Sequence, residues 1–483
     1  MRETVNRKTT IPVAKDESFR DHLGTIDESG GRKWIYPKKP KGKLYNARTV
    51  VSIFLLAILF GGPFIKINGH PILMLNILER KFYIFGLTFW PQDFHLFALA
   101  GLTFLVFIIL FTVIFGRVFC GWACPQTIFM EMVFRKIEYW IEGDAHKQRA
   151  LNKAPWNSEK IAKKVSKHAI FYAIAFLIGN TFLAYIIGID KLFRIVTDPP
   201  SEHLGGLAAT LIFSTMFYGV FAWLREQVCC MICPYGRLQG VLLDDNSIVV
   251  AYDYVRGEPR GPVKKNQSRE KLGDCVNCRL CVQVCPTGID IRNGTQLECV
   301  NCTACIDACN GVMEKVGFPK NLIRYASQKG IAENKKLTLS PRIIGYTLVL
   351  LILIGSLGYL MSRRTPVETT ILRTPGMLYR ITDAGNVQNL YNIQVVNKSF
   401  EQREITLRAN RVPAKVSMVT GQALTVKPDT LVESAFFVEI PADFLHHSKT
   451  TLTIEILDRG KIMDRVKTSF IGPEASSKQK TAE

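Results

Sequence analysis

The stretch CVNCRLCVQVCPTGIDIRNGTQLECVNCTACIDAC, residues 275–309, decides the fold class of the middle of this chain. It contains two cysteine runs of identical spacing, C-x2-C-x2-C-x3-C, and a proline, Pro286, follows the first run. Runs of this kind are typical of modules that bind two [4Fe–4S] clusters. Tight turns bring three thiolates to one face of a cubane, and the fourth cysteine of each run ligates the other cluster.

This rule assigns the eight cysteines of the stretch to two clusters. We expect the first cluster on Cys275, Cys278, Cys281 and Cys309, and the second on Cys299, Cys302, Cys305 and Cys285. Zinc is the alternative, because zinc sites made of four cysteines also use C-x2-C pairs. Zinc needs only two such pairs, however, so two complete four-cysteine runs favour clusters.

Five apolar runs outside this stretch are long enough to cross a bilayer, whose ~30 Å core needs about 20 helical residues. They are Val50–Ile67, Phe94–Phe119, Ala169–Ile189, Leu207–Leu224 and Ile343–Met361. We therefore predict an α-helical membrane domain. A shorter apolar run, Phe82–Trp90 (FYIFGLTFW), cannot span a bilayer and is expected to be an interfacial or re-entrant segment.

The loop charges predict the orientation of these spans. Residues 1–48, 116–167 and 225–342 hold 12, 10 and 17 Lys/Arg, whereas the short loops 66–93 and 190–204 hold 3 and 2. By the positive-inside rule the first set faces the cytoplasm and the second faces outward. The formal net charge of +20 is then largely a topology signal, so it gives no argument for nucleic-acid binding, and the basic N-terminus is expected to contact anionic lipid.

The residues after the last span change character. Short alternating stretches such as AFFVEIP (435–441) and TLTIEIL (451–457) are separated by turn-forming clusters, a pattern that favours an all-β Ig-like sandwich. The predicted organisation is a basic N-terminal segment, a membrane domain with two C-x3-C-P motifs, a dicluster ferredoxin-like α+β module, a last transmembrane helix, a β-sandwich and a disordered tail. Their bounds are 1–48, 49–260, 261–341, 342–362, 366–473 and 474–483.

Two further cysteine pairs occur at the ends of the second and fourth spans. Cys120 with Cys124, and Cys229 with Cys233, each form a C-x-x-x-C-P motif, which indicates a duplicated two-helix unit. At i, i+4 spacing each pair is expected to share one helix face, with the proline ending or kinking that helix. Soft thiolates suit Cu(I), so we interpret the four as a copper-reducing metal site. A third cluster on both pairs, or ordinary buried cysteines, remain alternatives, and Cys230 is expected to be incidental.

Several strings along the chain resemble the FixG/RdxA/CcoG family of membrane polyferredoxins, which are accessory proteins for assembly of the cbb-type haem–copper oxidase. These strings are FGLTFWPQDF (85–94), CGWACPQT (120–127), WIEGD (140–144), REQVC (225–229), YDYVRGEPRG (252–261) and LGDCVNC with CVQVCPTGIDIR (272–292). The resemblance implies a multi-pass protein of the bacterial inner membrane, with a cytoplasmic ferredoxin module and an Ig-like periplasmic domain.

The same resemblance implies an oxidoreductase that reduces Cu(II) to Cu(I) for the oxidase copper site. Copper is then a substrate or transient ligand beside two [4Fe–4S] clusters, and Cys120, Cys124, Cys229 and Cys233 carry the catalysis. The implied partners are membrane lipid, oxidase subunits or copper chaperones and transporters, and a cytosolic electron donor; homo-oligomerisation is left open. A quinol-linked ferredoxin-type subunit and a non-enzymatic assembly scaffold are the alternative functions.

Overall fold

The computed structural model describes residues 24–27, 29–67, 69–263, 271–333, 340–376, 378–410, 412–445 and 447–473. The predicted disordered tail and the first 23 residues of the basic segment lie outside this part of the chain. Two compact units form. The helical unit comprises Met1–Gly62, Gly101–Ala184 and Ile189–Leu353, and the β unit comprises Pro63–Ala100, Tyr185–Gly188 and Ile354–Glu483.

Within the described residues five helices are long and apolar enough to cross a membrane, which confirms the predicted spans. They are Lys43–Phe64, Pro91–Phe115, Ser158–Ile187, Leu204–Leu224 and Pro341–Ser362. Their apolar side chains remain largely exposed, as in Leu351 at 63% and Ile212 at 72%. A helix makes all its backbone hydrogen bonds internally and here exposes apolar side chains. Such a helix is suited to the hydrocarbon core of a membrane, where no water is available to hydrogen-bond the backbone.

Shorter helical elements follow the spans, and some of the cysteines lie in them. The α-helices are Val118–Trp122, Pro125–Thr127, Arg135–Ile141, Ala145–Lys153, Ile189–Thr197, Pro234–Leu242, Tyr254–Gly257, Leu280–Gln283, Ala304–Val316 and Gln328–Ala332. Three π-helical stretches occupy Ile128–Phe134, Val220–Leu224 and Val228–Ile232. In the same unit the strand Val249–Tyr252 pairs antiparallel with Ile323–Ala326. One strand precedes the cluster stretch in the sequence and the other follows it, so their pairing brings the two ends of this segment together.

An aromatic core holds the two halves of the helical unit together. Phe134 stacks on Phe221 with ring centroids 4.6 Å apart and meets Phe171 edge-on at 4.8 Å. Next to this core, the Arg225 guanidinium donates two hydrogen bonds to the Glu138 carboxylate, at 2.6 and 2.9 Å. Both residues are at most 5% exposed. A buried bidentate pair of this kind fixes the relative position of the two segments that carry it.

The C-terminal domain is the predicted Ig-like β-sandwich. Its strands, numbered within the sandwich, are β1 Val367–Arg373, β2 Arg380–Ile381, β3 Asn386–Asn397, β4 Arg403–Asn410, β5 Lys415–Met418, β6 Leu424–Val426, β7 Leu431–Pro441, β8 Lys449–Asp458 and β9 Lys461–Ile471. One antiparallel sheet has the order β5-β7-β3-β1, with β2 also on β3, and the other has the order β6-β4-β8-β9. Their inner faces meet around fully buried side chains such as Tyr391, Phe436 and Phe470.

The run Phe82–Trp90, predicted to be an interfacial or re-entrant segment, contributes to two strands and the turn between them. Strands Leu73–Asn76, Lys81–Ile84 and Leu87–Phe89 form a three-stranded antiparallel sheet of the β unit. Gly86, at φ 78°, supplies the left-handed turn between the last two strands. A short ribbon, Lys66–Ile67 with His70–Pro71, precedes this sheet.

Buried charges join this loop sheet to the sandwich within the β unit. The Asp93 carboxylate accepts hydrogen bonds from Lys398 Nζ at 2.6 Å and from Arg364 Nη2 at 2.9 Å. Asp93 is 2% exposed and Lys398 is 7% exposed. The Tyr83 hydroxyl also hydrogen-bonds the Asp429 carboxylate in the turn before β7. Contacts between residues far apart in the sequence therefore hold the β unit together.

Candidate metal centres

The eight cysteines of the central stretch line two separate cavities of the helical unit. Cys275, Cys278, Cys281 and Cys309 line one cavity. Cys285, Cys299, Cys302 and Cys305 line the other, which Cys281 also borders. The structure thus brings together the two sets that the spacing predicted, including the exchange of the fourth cysteine between the runs.

The two runs adopt the same turn. Asn277 and Asn301 both have φ 54°, and the residue after each second cysteine, Arg279 or Thr303, has φ 55° or 65°. Left-handed backbone is uncommon outside glycine, although asparagine tolerates it. Two such residues around the second cysteine fold each C-x2-C-x2-C segment back on itself, so its three thiols face one cavity.

The sulfurs are spaced too widely for a single tetrahedral ion. A zinc site of four cysteines has Zn–S bonds of about 2.3 Å, which places its sulfurs within ~4 Å of one another. In the described chain, the one set of three ligand atoms that all lie within 4.8 Å of one another belongs to Asp198, Glu202 and His203, not to cysteines. The cavities and their donors therefore fit a cubane cluster better than zinc.

The exposure of the thiols differs within the first set. Cys278 is exposed, whereas Cys275 and Cys281 are 8% exposed. Burial raises the pKa of Cys281 to about 12 and that of Cys302 to about 11, with the Arg48 charge opposing the shift at Cys302. Because a metal binds the thiolate, loading these sites releases protons.

The membrane-edge pairs have nearly the same local geometry as each other. Cys124 and Cys233 are both helix N-caps with extended backbone, at φ −62°, ψ 124° and φ −68°, ψ 113°. The proline after each occupies the first helical turn, where its fixed φ suits a helix start. Each proline thus begins a new helix, and the prediction that each pair shares one continuous helix face is wrong, because a helix end separates its two cysteines.

A left-handed residue lies four positions before the first cysteine of each pair. Gly116 has φ 56° and Arg225 has φ 56°. A Cβ on Gly116 would lie 2.8 Å from Val249 Cγ1 and 2.9 Å from the Ile248 carbonyl oxygen. In the second half the arginine adopts the strained conformation and is held by Glu138. This shared turn strengthens the case for a duplicated unit.

The four membrane-edge thiols lie within electrostatic range of one another. Burial raises the pKa of Cys120 to about 11, and Cys124 and Cys233 contribute to that shift. Burial likewise raises the pKa of Cys229, which Cys124 and Cys120 raise further. The two pairs from distant parts of the sequence therefore lie near one another, but in the described chain no three of these four sulfurs lie within 4.8 Å of one another.

The first motif of this set packs beside the second cluster cavity. A Cβ on Gly121, inside the first motif, would lie 2.5 and 2.7 Å from the carbonyl oxygens of Val300 and Asn301. The Trp122 indole N–H donates to the Tyr325 hydroxyl at 3.1 Å, which in turn donates to the Asn301 carbonyl at 3.2 Å. The first motif thus packs on the backbone between Cys299 and Cys302.

One residue of this region was missed from the sequence. Arg117 is 5% exposed and bonds both the helix Pro234–Leu242 and the backbone at Leu297. A charge just past the end of a span was the available signal. Burial raises the pKa of the Cys230 thiol to about 12, and Cys230 lines neither cluster cavity.

Comparison with known proteins agrees with this arrangement. A family described as a 4Fe-4S dicluster domain matches residues 224–328, one described as a 4Fe-4S binding domain matches 97–146, and one described as the Ig-like fold at the C-terminus of FixG matches 357–473. The second match includes Cys120 and Cys124, and the first includes Cys229 and Cys233. The chain therefore contains two 4Fe-4S binding domains and an Ig-like domain.

Curated relatives match most of the chain. The nitrogen fixation protein FixG of Rhizobium meliloti is 33% identical, over 85% of this chain and 87% of that protein. RdxB and RdxA of Cereibacter sphaeroides are each 32% identical, over 82% and 80% of this chain and 86% and 85% of theirs. Five apolar spans, two sets of cluster cysteines and a terminal β-sandwich thus occur together with near full-length similarity, and the chain belongs to the FixG/RdxA family of membrane iron–sulfur redox proteins.

Proposed function

We propose that this protein reduces Cu(II) to Cu(I) at the four membrane-edge cysteines, for delivery to a cbb-type haem–copper oxidase. The observation that carries the proposal is the packing of the first C-x-x-x-C-P motif, through Gly121 and Trp122, on the backbone between Cys299 and Cys302. An electron acceptor held there lies beside the second cluster cavity. The resemblance described above supplies the identity of the oxidase and of the copper chaperones or transporters that exchange copper with the protein.

The donor set suits the reduced ion. Thiolate sulfur is a soft ligand that selects Cu(I), so binding at Cys120, Cys124, Cys229 and Cys233 favours the product of Cu(II) + e⁻ → Cu(I). The two clusters, held by the eight central cysteines, supply single electrons when bound. Because burial raises the pKa values of Cys120 and Cys229, copper binding at their thiols releases protons.

The exposed Cys278 indicates where electrons enter. Among the eight central cysteines it is the exposed one, and it lies in the cavity that does not border the membrane-edge set. A soluble one-electron donor of the cytosol would approach this side. The proposed order is therefore donor, Cys278 side, Cys299 side, copper.

Sidedness follows from the charge bias and is tested with two reporters. A reporter inserted after Val263 is expected to give the cytoplasmic readout, and one placed after Pro473 the periplasmic readout. The reason is that an odd number of spans separates the Lys/Arg-rich N-terminus from the sandwich. Alkaline phosphatase and a fluorescent protein that fails to mature outside the cytoplasm give opposite readouts. Equal sides for the two positions would contradict the five-span topology.

The double variant Cys124→Ser with Cys233→Ser tests the copper step. These two residues have the same position in the repeat, so their loss removes one donor from each pair. We expect copper binding and anaerobic Cu(I) formation to fall to the background rate, with the iron of the two central clusters unchanged. Cells carrying the variant should have low oxidase activity that added copper partly restores.

The matched control and the contrary outcomes are specific. Cys230→Ser, in the same π-helical stretch as Cys229, should reduce Cu(II) at close to the normal rate. Normal copper reduction by the double variant would show that the four thiols are structural. Loss of about four irons would place a third cluster on them, as the 4Fe-4S match over residues 97–146 also allows. Turnover with a quinol but not with copper would favour the quinol-linked function.

A further inference from the structure

Arg117 is a buried cation whose hydrogen bonds all go to neutral acceptors. Its Nε donates to Gln239 Oε1, one Nη donates to the carbonyl groups of Leu297 and Cys299, and the other donates to the Gly236 carbonyl. Within the described residues no carboxylate forms an ion pair with it. A buried charge without a counter-charge is costly and is retained only where something nearby compensates it.

The groups around the Arg117 guanidinium belong to the cysteine sites. The oxygen of Gln239 that accepts from Arg117 also accepts from the Cys120 thiol, with Sγ at 3.4 Å. A Cβ on Gly236 would lie 2.6 Å from the Cys229 carbonyl oxygen and 3.0 Å from Arg117 Nη2. One guanidinium thus bonds or adjoins both membrane-edge motifs and the backbone of the cluster cysteine Cys299.

Hydrogen bonds connect the Arg117 guanidinium to two of the cysteine sites. Gln239 Oε1 accepts from Arg117 Nε and from the Cys120 thiol, and the Cys299 carbonyl group accepts from Arg117 Nη1. Deprotonated, metal-bound thiolates would bring negative charge close to this cation, which forms no ion pair among the described residues.

We propose that Arg117 is a positioning residue that provides the counter-charge of the metal–thiolate site at Cys120, Cys124, Cys229 and Cys233, and that it makes this site easier to reduce. The proposal rests on the proposed function only in requiring that the four thiols hold a metal. Each electron added to the site adds negative charge, and a fixed buried cation lowers the free energy of that state. A purely structural arginine would have no such effect on the reduction potential.

The test compares three variants of the full-length, metal-loaded protein. Arg117→Gln removes the charge, Arg117→Lys keeps it while losing the forked hydrogen bonds, and Gln239→Glu keeps the guanidinium but places a carboxylate against it. The readout is the midpoint potential of the metal centre that the Cys124→Ser, Cys233→Ser double variant eliminates, followed by spectroscopic redox titration. Metal content per chain is measured on the same samples.

We expect Arg117→Gln and Gln239→Glu to disfavour reduction at least tenfold, a fall of about 59 mV for a one-electron couple. Arg117→Lys should stay within about twofold of the unmodified protein, because it keeps the charge. Equal shifts in Arg117→Gln and Arg117→Lys, or no shift in Gln239→Glu, would overturn the proposal in favour of a structural tie. If the Arg117→Gln protein does not accumulate in cells, the midpoint potentials of Gln239→Glu and Arg117→Lys are compared instead, and that comparison alone tests the proposal.

The outcome separates this inference from the copper proposal. If the site binds copper and its midpoint potential is unchanged in Arg117→Gln and Gln239→Glu, the inference fails while the proposed function stands. If the site contains a third iron–sulfur cluster whose potential shifts as expected, the inference stands and the copper function fails. A site that binds no metal in the unmodified protein would overturn both.

Discussion

Replacing Cys299 with serine is expected to remove about half of the iron of the two central clusters and leave the membrane helices inserted. Cys299 lines only the cavity shared with Cys285, Cys302 and Cys305, so the other set should keep its cluster. Cys275→Ser should remove the other half. Iron analysis and low-temperature EPR of protein purified without oxygen measure both effects, and tetrahedral zinc without iron would end the iron–sulfur assignment.

Double variants test the exchange of the fourth cysteine between the runs. Cys285 and Cys299 belong to different runs but to one cavity, so the Cys285→Ser, Cys299→Ser pair should lose no more iron than Cys299→Ser alone. The Cys275→Ser, Cys299→Ser pair should lose nearly all of it. The matched control Cys230→Ser should keep the full amount. Additive losses within one cavity would contradict the assignment.

Replacing Glu138 with glutamine should destabilise the helical unit more than any single surface change. Glu138 and Arg225 are 3% and 5% exposed, and removing one partner of a buried pair costs about 3–5 kcal/mol. Arg225 then keeps its longer contact with Glu226, at 3.5 Å. Arg225 also loses the contact that holds its left-handed backbone. Thermal unfolding in detergent should show a clear fall in midpoint. Glu159→Gln is the control, since its pair with Lys163 is solvent-exposed and its loss should change nothing measurable.

The same pair predicts an acid limit to stability. Burial would raise the pKa of Glu138, but the charge and hydrogen bonds of Arg225 outweigh it and lower the pKa to about 2 from an ordinary 4.5. The contribution of the pair is thus fully present well above pH 4.5 and is lost as the pH falls toward 2. Glu138→Gln should lack this part of the acid dependence, and an unchanged acid profile in the variant would argue against the pair.

Features that depend on spacing along the chain were predictable from the sequence. The cysteine interval of each run determines a local turn, so the turn at Asn277 and Asn301 follows from short-range geometry. The five spans follow from length and hydropathy, since few other structures use about 20 apolar residues in a row. The alternating strands of the sandwich are likewise a local pattern.

Features that depend on distant partners were not predictable. The run Phe82–Trp90 is continuously apolar, and its role as a strand pair became clear only from its packing in the β unit. The same holds for Arg117 and Glu138, whose partners lie 87 to 182 residues away. The helix break inside each C-x-x-x-C-P motif was missed because periodicity says where side chains could align but not where a helix stops.

The link between Asp93 and Lys398 bears on the order in which the chain is made. The two residues are 305 positions apart, and ribosomes add about 5–20 residues per second. The loop sheet therefore emerges many seconds before the strands that complete its fold, and its buried carboxylate has no counter-charge until the last span has been inserted. Long-range pairing of this kind makes folding slow, and the β unit can be completed only after the last span and the sandwich strands have been synthesised.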